Sequence, residues 1–238
     1  MHADPSRRAA TVGELDEPAV VELPLRGEWT IERTPAHRIP SHGTDLLGQR
    51  YAYDLLRTDH RPGFHPHPAP TLRWLVLGGR TRDCYGWGQP VHAALHGRVV
   101  QSVDGVPERQ WVHAAREGWS AVQTTLAFAG KGLDMARLAG NHVMTETAGT
   151  YALYGHLAPG SVAVTSGQRV RTGEVLGRVG HSGNSTAPHL HFQLMDSMDP
   201  LEARGIPCAF AAYLVDRHGQ WKRIERGIPH RRERIRHG

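Results

Sequence analysis

A chain of 238 residues, 39% hydrophobic and 21% charged, suits one β-rich domain or two small ones, and excludes a coiled coil, a collagen-like repeat and wholesale disorder. Its longest uninterrupted apolar run, Cys208 to Val215, falls far short of the roughly 20 residues a membrane-spanning helix needs, and no apolar h-region of a secretory signal accompanies Arg7 and Arg8. The net charge of +5 sits entirely in residues 222–238, leaving a neutral body that does not suit nucleic-acid binding.

Residues 1–17 are polar and read as a flexible arm. Short β-type segments then recur at Ala19–Leu25, Trp29–Arg33, Arg50–Leu56, Leu72–Leu77, Pro90–Ala94 and Gly97–Val103. After an interruption they resume at His142–Thr147, Tyr151–Leu157, Ser161–Thr165, Glu174–Val179, His189–Met195 and Cys208–Val215. Turn signals such as Asp104-Gly105, Pro159-Gly160, Ser166-Gly167 and Ser182-Gly183-Asn184 separate them. The spacing predicts an all-β fold, an antiparallel sandwich or open barrel, as one domain over residues 18–221. The interruption, residues 105–140, predicts a partly helical insertion with helical stretches at Trp119–Ala129 and Leu133–Leu138. Residues 222–238 carry seven cations against Glu225 and Glu233 and read as a solvated basic tail, dispensable to the core. Cys84 and Cys208 lack the spacing of a zinc ribbon or a disulfide framework, and whether they pair is left open.

Seventeen histidines against two lysines point toward metal or proton chemistry. The most informative stretch is Gly183-Asn184-Ser185-Thr186-Ala187-Pro188-His189-Leu190-His191-Phe192-Gln193-Leu194. In a strand, Leu190, Phe192 and Leu194 would enter the core while His189, His191 and Gln193 line the opposite face. Two imidazoles about 6–7 Å apart along the strand can address one small site, one binding a metal while the other handles protons.

Upstream lie Tyr154-Gly155-His156-Leu157, Ser161-Val162, and glycines at 167, 173, 177 and 180 interleaved with Val170 and Val175-Leu176. With Gly140-Asn141-His142-Val143, the Gly88-Gln89-Pro90-Val91-His92-Ala93 hairpin and the P-H-L-H-F core, this order resembles the lysostaphin-type zinc metallopeptidases, which cut peptide cross-links in bacterial peptidoglycan. The resemblance covers about residues 40–200. It implies one zinc per chain, held by an early His and Asp and by the second His of H-L-H, here His191. The usual H-x-x-x-D of that family is altered: Arg50 stands where the His would be in Arg50-Tyr51-Ala52-Tyr53-Asp54. His42, on a preceding loop that Gly43 and Gly48 let fold back, is the first candidate to replace it, with His60, His65 and His67 as competitors and Asp45 as an alternative to Asp54.

The resemblance further implies that His156 and His189 are catalytic, sharing the roles of general base and of stabilising the oxyanion or protonating the leaving amine, and that Asn141 bonds substrate backbone. Which imidazole is the base stays open. His92, His96, His113, His142 and His181 read as satisfied or solvated histidines. The expected activity is a zinc metalloendopeptidase acting on peptidoglycan; the alternative is a non-catalytic cell-wall-binding or regulatory module of the same fold. Such a substrate suggests the cell wall or exterior, which the missing signal does not match.

Overall fold

The computed structural model describes residues 17–61, 63, 65–113 and 135–238. Sixteen strands alternate with short turns among them: β1 (Ala19–Val21), β2 (Glu28–Arg33), β3 (Tyr53–Leu56), β4 (Gly79–Arg80), β5 (Pro90–His92), β6 (Gly97–Val103), β7 (Trp111–Val112) and β8 (Asn141–Thr147). The second half adds β9 (Thr150–Leu157), β10 (Arg169–Val170), β11 (Val175–Arg178), β12 (His189–Met195), β13 (Gly205–Ile206), β14 (Cys208–Arg217), β15 (Gln220–Gly227) and β16 (Arg234–His237). Helices are few: α1 (Thr71–Leu77) and α2 (Met135–Leu138). None is long and apolar enough to cross a membrane among the described residues.

One large sheet organises the molecule, in the order β1-β14-β16-β2-β3-β12-β9-β8-β6-β10, with β15 beside β14 and β13 beside β12. Its pairings are antiparallel except β1 with β14, and it does not close into a barrel. The ribbon of β5 and β11 shares the core beneath it, through Val91 and Leu176. The alternation of β12 divides the sheet into a greasy and a reactive face: Leu190 and Phe192 join Trp29, Tyr53, Tyr154 and Phe210 in the main core, and His189, His191 and Gln193 point the other way. Burying each such apolar side chain contributes about 1.5–3 kcal/mol. Two bonds tie distant segments to this core: Tyr53 Oη donates to the Cys208 carbonyl at 2.6 Å, and the Ala94 N–H donates to Tyr154 Oη at 2.8 Å. Both cysteines are free and buried.

Three expectations change. Leu72–Leu77 is helical rather than extended: Trp74 N–H bonds the Pro70 carbonyl, Gly78 closes the turn at φ 68°, and only Trp74 is buried. Ser161–Thr165 forms no strand and runs as an irregular connection. Residues 222–238 are not a solvated tail. β15 pairs with β14, and β16 lies between β14 and β2 with Ile235 fully buried opposite Trp29. Long arginine stems make this possible, since Arg236 lies over the Trp221 ring and Arg234 meets Glu28 and Asp216, so charge stays at the rim while one isoleucine fills the core. In the insertion, α2 falls within the expected Leu133–Leu138, whereas Trp119–Ala129 lies outside the described residues, as does all but the last residue of the 1–17 arm.

Candidate active site

At the middle of the sheet, β3, β12 and β9 run side by side, and their registers set Asp54 opposite His191 and His191 opposite Gly155. His42 arrives from the loop before β3. The fold-back needs left-handed backbone at Gly43 (φ 78°) and Gly48 (φ 68°), and at Gly48 an added Cβ would sit 3.0 Å from Gln193 Nε2 and Met195 Cβ. His156 takes φ 62° at the end of β9, an uncommon conformation for any residue with a side chain. Its N–H bonds the Ala139 carbonyl at 2.7 Å and its own carbonyl accepts from Gly180 at 2.9 Å. The turn brings its ring to 4.7 Å from His189 and 5.8 Å from His191, centroid to centroid.

His42, Asp54 and His191 offer three ligand atoms within 4.8 Å of one another. Their outer hydrogen bonds decide which atoms face inward. Ser41 Oγ donates to the Gln49 carbonyl, so it accepts from His42 Nδ1 at 3.0 Å, and a neutral His42 turns the lone pair of Nε2 toward Asp54 Oδ2, 3.0 Å away. Gln193 Nε2 donates to the Leu47 carbonyl at 2.8 Å, which leaves Oε1 to accept from His191 Nε2 at 2.9 Å. The lone pair of His191 Nδ1 then meets Asp54 Oδ1 at 2.9 Å. Two nitrogen lone pairs aimed at the two oxygens of one carboxylate repel unless a cation lies among them. This donor set, two neutral imidazoles and a carboxylate with each imidazole braced from behind, fits a zinc ion that keeps one position open.

The other two imidazoles are fixed in the same way. His156 Nδ1 donates to the Ser182 carbonyl at 2.9 Å, and His189 Nδ1 donates to the Ala187 carbonyl at 2.7 Å, so each presents Nε2 to the pocket. Behind His189 runs a brace: an Arg109 guanidinium N–H faces His181 Nε2, His181 Nδ1 donates to Ser185 Oγ, and Ser185 Oγ donates to the Ala187 carbonyl. Burial, reinforced by the Arg109 charge, brings His181 down to about 3 and keeps it neutral in this brace. Burial also lowers His42, and lowers His156 well below the usual histidine range with help from the neighbouring imidazoles. Burial opposes ionisation of both Asp54 and His189, yet their mutual attraction prevails: Asp54 is held well below the usual carboxylate range, helped by His42, and His189 is raised.

The hollow in front of these groups measures about 320 Å³ and is walled by Thr44, Leu46, Met135, Leu138, Asn184 and Thr186. His65 and His67 do not reach it. They pack beneath α1, where His67 stacks on Trp74 at 4.8 Å and His65 meets Thr71 Oγ1. His60 lies beside Arg234, and Asp45 is exposed and pairs with Arg50. Asn141, expected at the substrate, is fully buried with its amide committed: Oδ1 accepts from the Val106 N–H, and Nδ2 donates to the carbonyls of Val106 and Leu157. It clamps the 105–108 loop to the end of β9. Sequence reasoning missed Ser41, Ser185 and Arg33, while His181 is the satisfied histidine it was read as. A bulge between Ile31 and Arg33 brings the Arg33 guanidinium to 3.3 Å from Asp54 Oδ2, and no periodic signal announces a bulge.

Residues 105–203, which contain His156, His189 and His191, match Peptidase family M23. The match covers less than half of the chain. Over 124 residues it is 34% identical to the DD-carboxypeptidase/endopeptidase Mpg of Neisseria meningitidis serogroup B, covering 51% of this chain and 26% of that protein. Over 66 residues it is 38% identical to the peptidoglycan DD-endopeptidase ShyA of Vibrio cholerae, covering 27% of this chain and 15% of the other. The matched stretch thus spans about a quarter or less of each curated relative. Among solved structures, the catalytic domain of lysostaphin from Staphylococcus simulans aligns at 18% identity with a TM-score of 0.37, over 76% of this chain and 88% of that one.

Proposed function

We propose that this chain is an M23-type, zinc-dependent endopeptidase that hydrolyses peptide bonds in bacterial peptidoglycan cross-links. The observation that carries the reading is the convergence of His42 Nε2, Asp54 and His191 Nδ1 as lone-pair donors, with the Nε2 atoms of His156 and His189 facing the same space. The DD-endopeptidase activities for which the Neisseria and Vibrio relatives are named support the choice of substrate.

In this reading His42, Asp54 and His191 hold one zinc. When bound, zinc supplies Lewis-acid chemistry, lowering the pKa of a water to about 7 and polarising a carbonyl. The protein's own part is proton traffic and orientation. His156 and His189 divide acceptance of the attacking water's proton from delivery of a proton to the leaving amine, each with its Nδ1–H anchored on a backbone carbonyl so that the ring does not turn between steps. The hollow's apolar wall, Leu46, Met135 and Leu138, lies along an extended peptide and keeps bulk water from the scissile bond.

Elemental analysis of the purified protein, joined to mass spectrometry of fragments released from peptidoglycan, tests the reading. We expect one zinc per chain and new amino termini at cross-links. His191→Ala should lose both metal and activity. His189→Ala and His156→Ala should each keep the zinc and lose about 10²–10⁴-fold in turnover. Full activity in both of the latter would overturn the mechanism, and bound zinc without any cleavage of wall peptides would favour a binding module.

A further inference from the structure

A second cleft, of about 800 Å³, shares no described lining residue with the histidine pocket. The segment 179–185 links the two. Asn184 lines the histidine pocket, while Val179 bonds Gly88 and Leu157, and Ser182 bridges Glu108, on the side of the second cleft. The second cleft is lined by the indoles of Trp87 and Trp111 and by the guanidiniums of Arg80, Arg82 and Arg178.

The charges in this cleft are out of balance. The hollow between the 59–63 turn and the 231–234 turn is also arginine-rich, but there Arg217 pairs with Glu233, Arg231 with Glu32 and Arg234 with Glu28. Among the described residues, Arg80, Arg82 and Arg178 have no carboxylate partner. Arg82 lies 5.0 Å from the centre of the Trp87 ring, and Arg178 bonds only the Gly88 carbonyl. The cleft's single acid, Glu108, is already committed: one oxygen accepts from Trp87 Nε1 and the other from the His181 N–H. Three guanidiniums against the one carboxylate of Glu108 leave the described lining net positive, which favours an anion, and a carboxylate matches their forked donors. Trp111 is 47% exposed, with its Nε1–H spent on the Leu77 carbonyl, so it presents an apolar ring face rather than a donor.

We propose that this cleft binds a carboxylated oligosaccharide, with sugar rings lying on the indoles and carboxylates held by Arg80, Arg82 and Arg178. The inference rests on the peptidoglycan reading above and extends it: wall glycan freed of its stem peptides, so that its lactyl carboxyls are ionised, would occupy this cleft, while a peptide occupies the histidine pocket. A volume of about 800 Å³ is ample for two or more sugar rings.

Titration of the full chain by calorimetry, without any cleavage readout, tests this. The probes are a tetrasaccharide of alternating N-acetylglucosamine and N-acetylmuramic acid with free lactyl carboxylates, chitotetraose as its uncharged counterpart, and a sugar-free stem peptide. The acidic tetrasaccharide should bind saturably, at least tenfold more tightly than chitotetraose, and weaken with salt. Arg80→Ala/Arg82→Ala/Arg178→Ala should weaken it by tenfold or more. Trp111→Ala should weaken both saccharides, with Trp111→Tyr restoring most of the loss. Hydrolysis of a short soluble peptide should be unaffected in the arginine variant. Absent binding of the acidic saccharide, binding untouched by the arginine variant, or occupation of the cleft by the stem peptide instead would each overturn the proposal. Saccharide binding by a protein that cleaves nothing would leave this site standing and remove the peptidase reading alone.

Discussion

Strands β12 and β15 are both rich in polar residues, and they use them in opposite ways. All seven residues of β12 are buried, and His189, His191 and Gln193 find protein partners where water would otherwise serve. In β15, Gln220, Lys222, Arg223, Glu225 and Arg226 stay exposed, and the strand is held by backbone pairing to β14. The number of polar residues in a strand therefore says little about what they cost or do. A buried polar face is tolerable only when each group has a fixed partner, and that same fixity is what a reactive site needs.

The largest expected effect tests the C-terminal side of the contrast. Ile235→Ala removes the one fully buried side chain of β16 and should lower stability by about 2–5 kcal/mol, read from urea unfolding. An unmoved midpoint would return the segment to the status of a solvated tail. Next comes the brace behind a ligand: Gln193→Leu frees the His191 tautomer and should weaken zinc binding about 10–100-fold in competition with a chelating dye. Unchanged affinity would mean that the ring is oriented by something else.

A pH effect follows from His181. Unfolded, it takes a proton near pH 6.5; folded, it refuses one until about 3. Its stabilising contribution is therefore complete above pH 6.5 and declines as pH falls toward 3, with a slope approaching about 1.4 kcal/mol per pH unit. His181→Gln should flatten the acid limb of a plot of stability against pH, and an equally steep limb would assign the acid sensitivity to other histidines. The smallest effect belongs to β15, where Lys222→Gln and Glu225→Gln should each shift stability by no more than about 0.5 kcal/mol. A larger loss from either would erase the contrast with β12.

Much of the site was legible because strand alternation is rigid. Once Leu190 and Phe192 are assigned to the core, His189 and His191 have only one place to go. The placement of His42 beside Asp54 could be anticipated despite Arg50, because glycines at 43 and 48 mark a loop able to turn back, and both adopt the left-handed conformation that fold-back requires. Asn141 misled because a polar side chain in a strand looks the same in sequence whether it faces a ligand or a neighbouring loop. Arg33 stayed hidden behind a bulge. β16 was illegible for a related reason: Arg-Ile-Arg-His carries one apolar residue, too few for a periodic signal, and its partners lie far away in sequence.

That distance has a kinetic consequence. Glu28 and Arg234, joined across β2 and β16, are 206 residues apart. Until residue 237 has been synthesised, β2 keeps an open edge, with hydrogen-bonding groups ready to capture any other extended chain. Closing so long a loop is slow compared with forming the local hairpins of β8 with β9 or β14 with β15. The nascent protein therefore carries a sticky edge on β2 throughout the synthesis of β4 to β15, and this exposure to misassembly ends only when β16 slots into the gap.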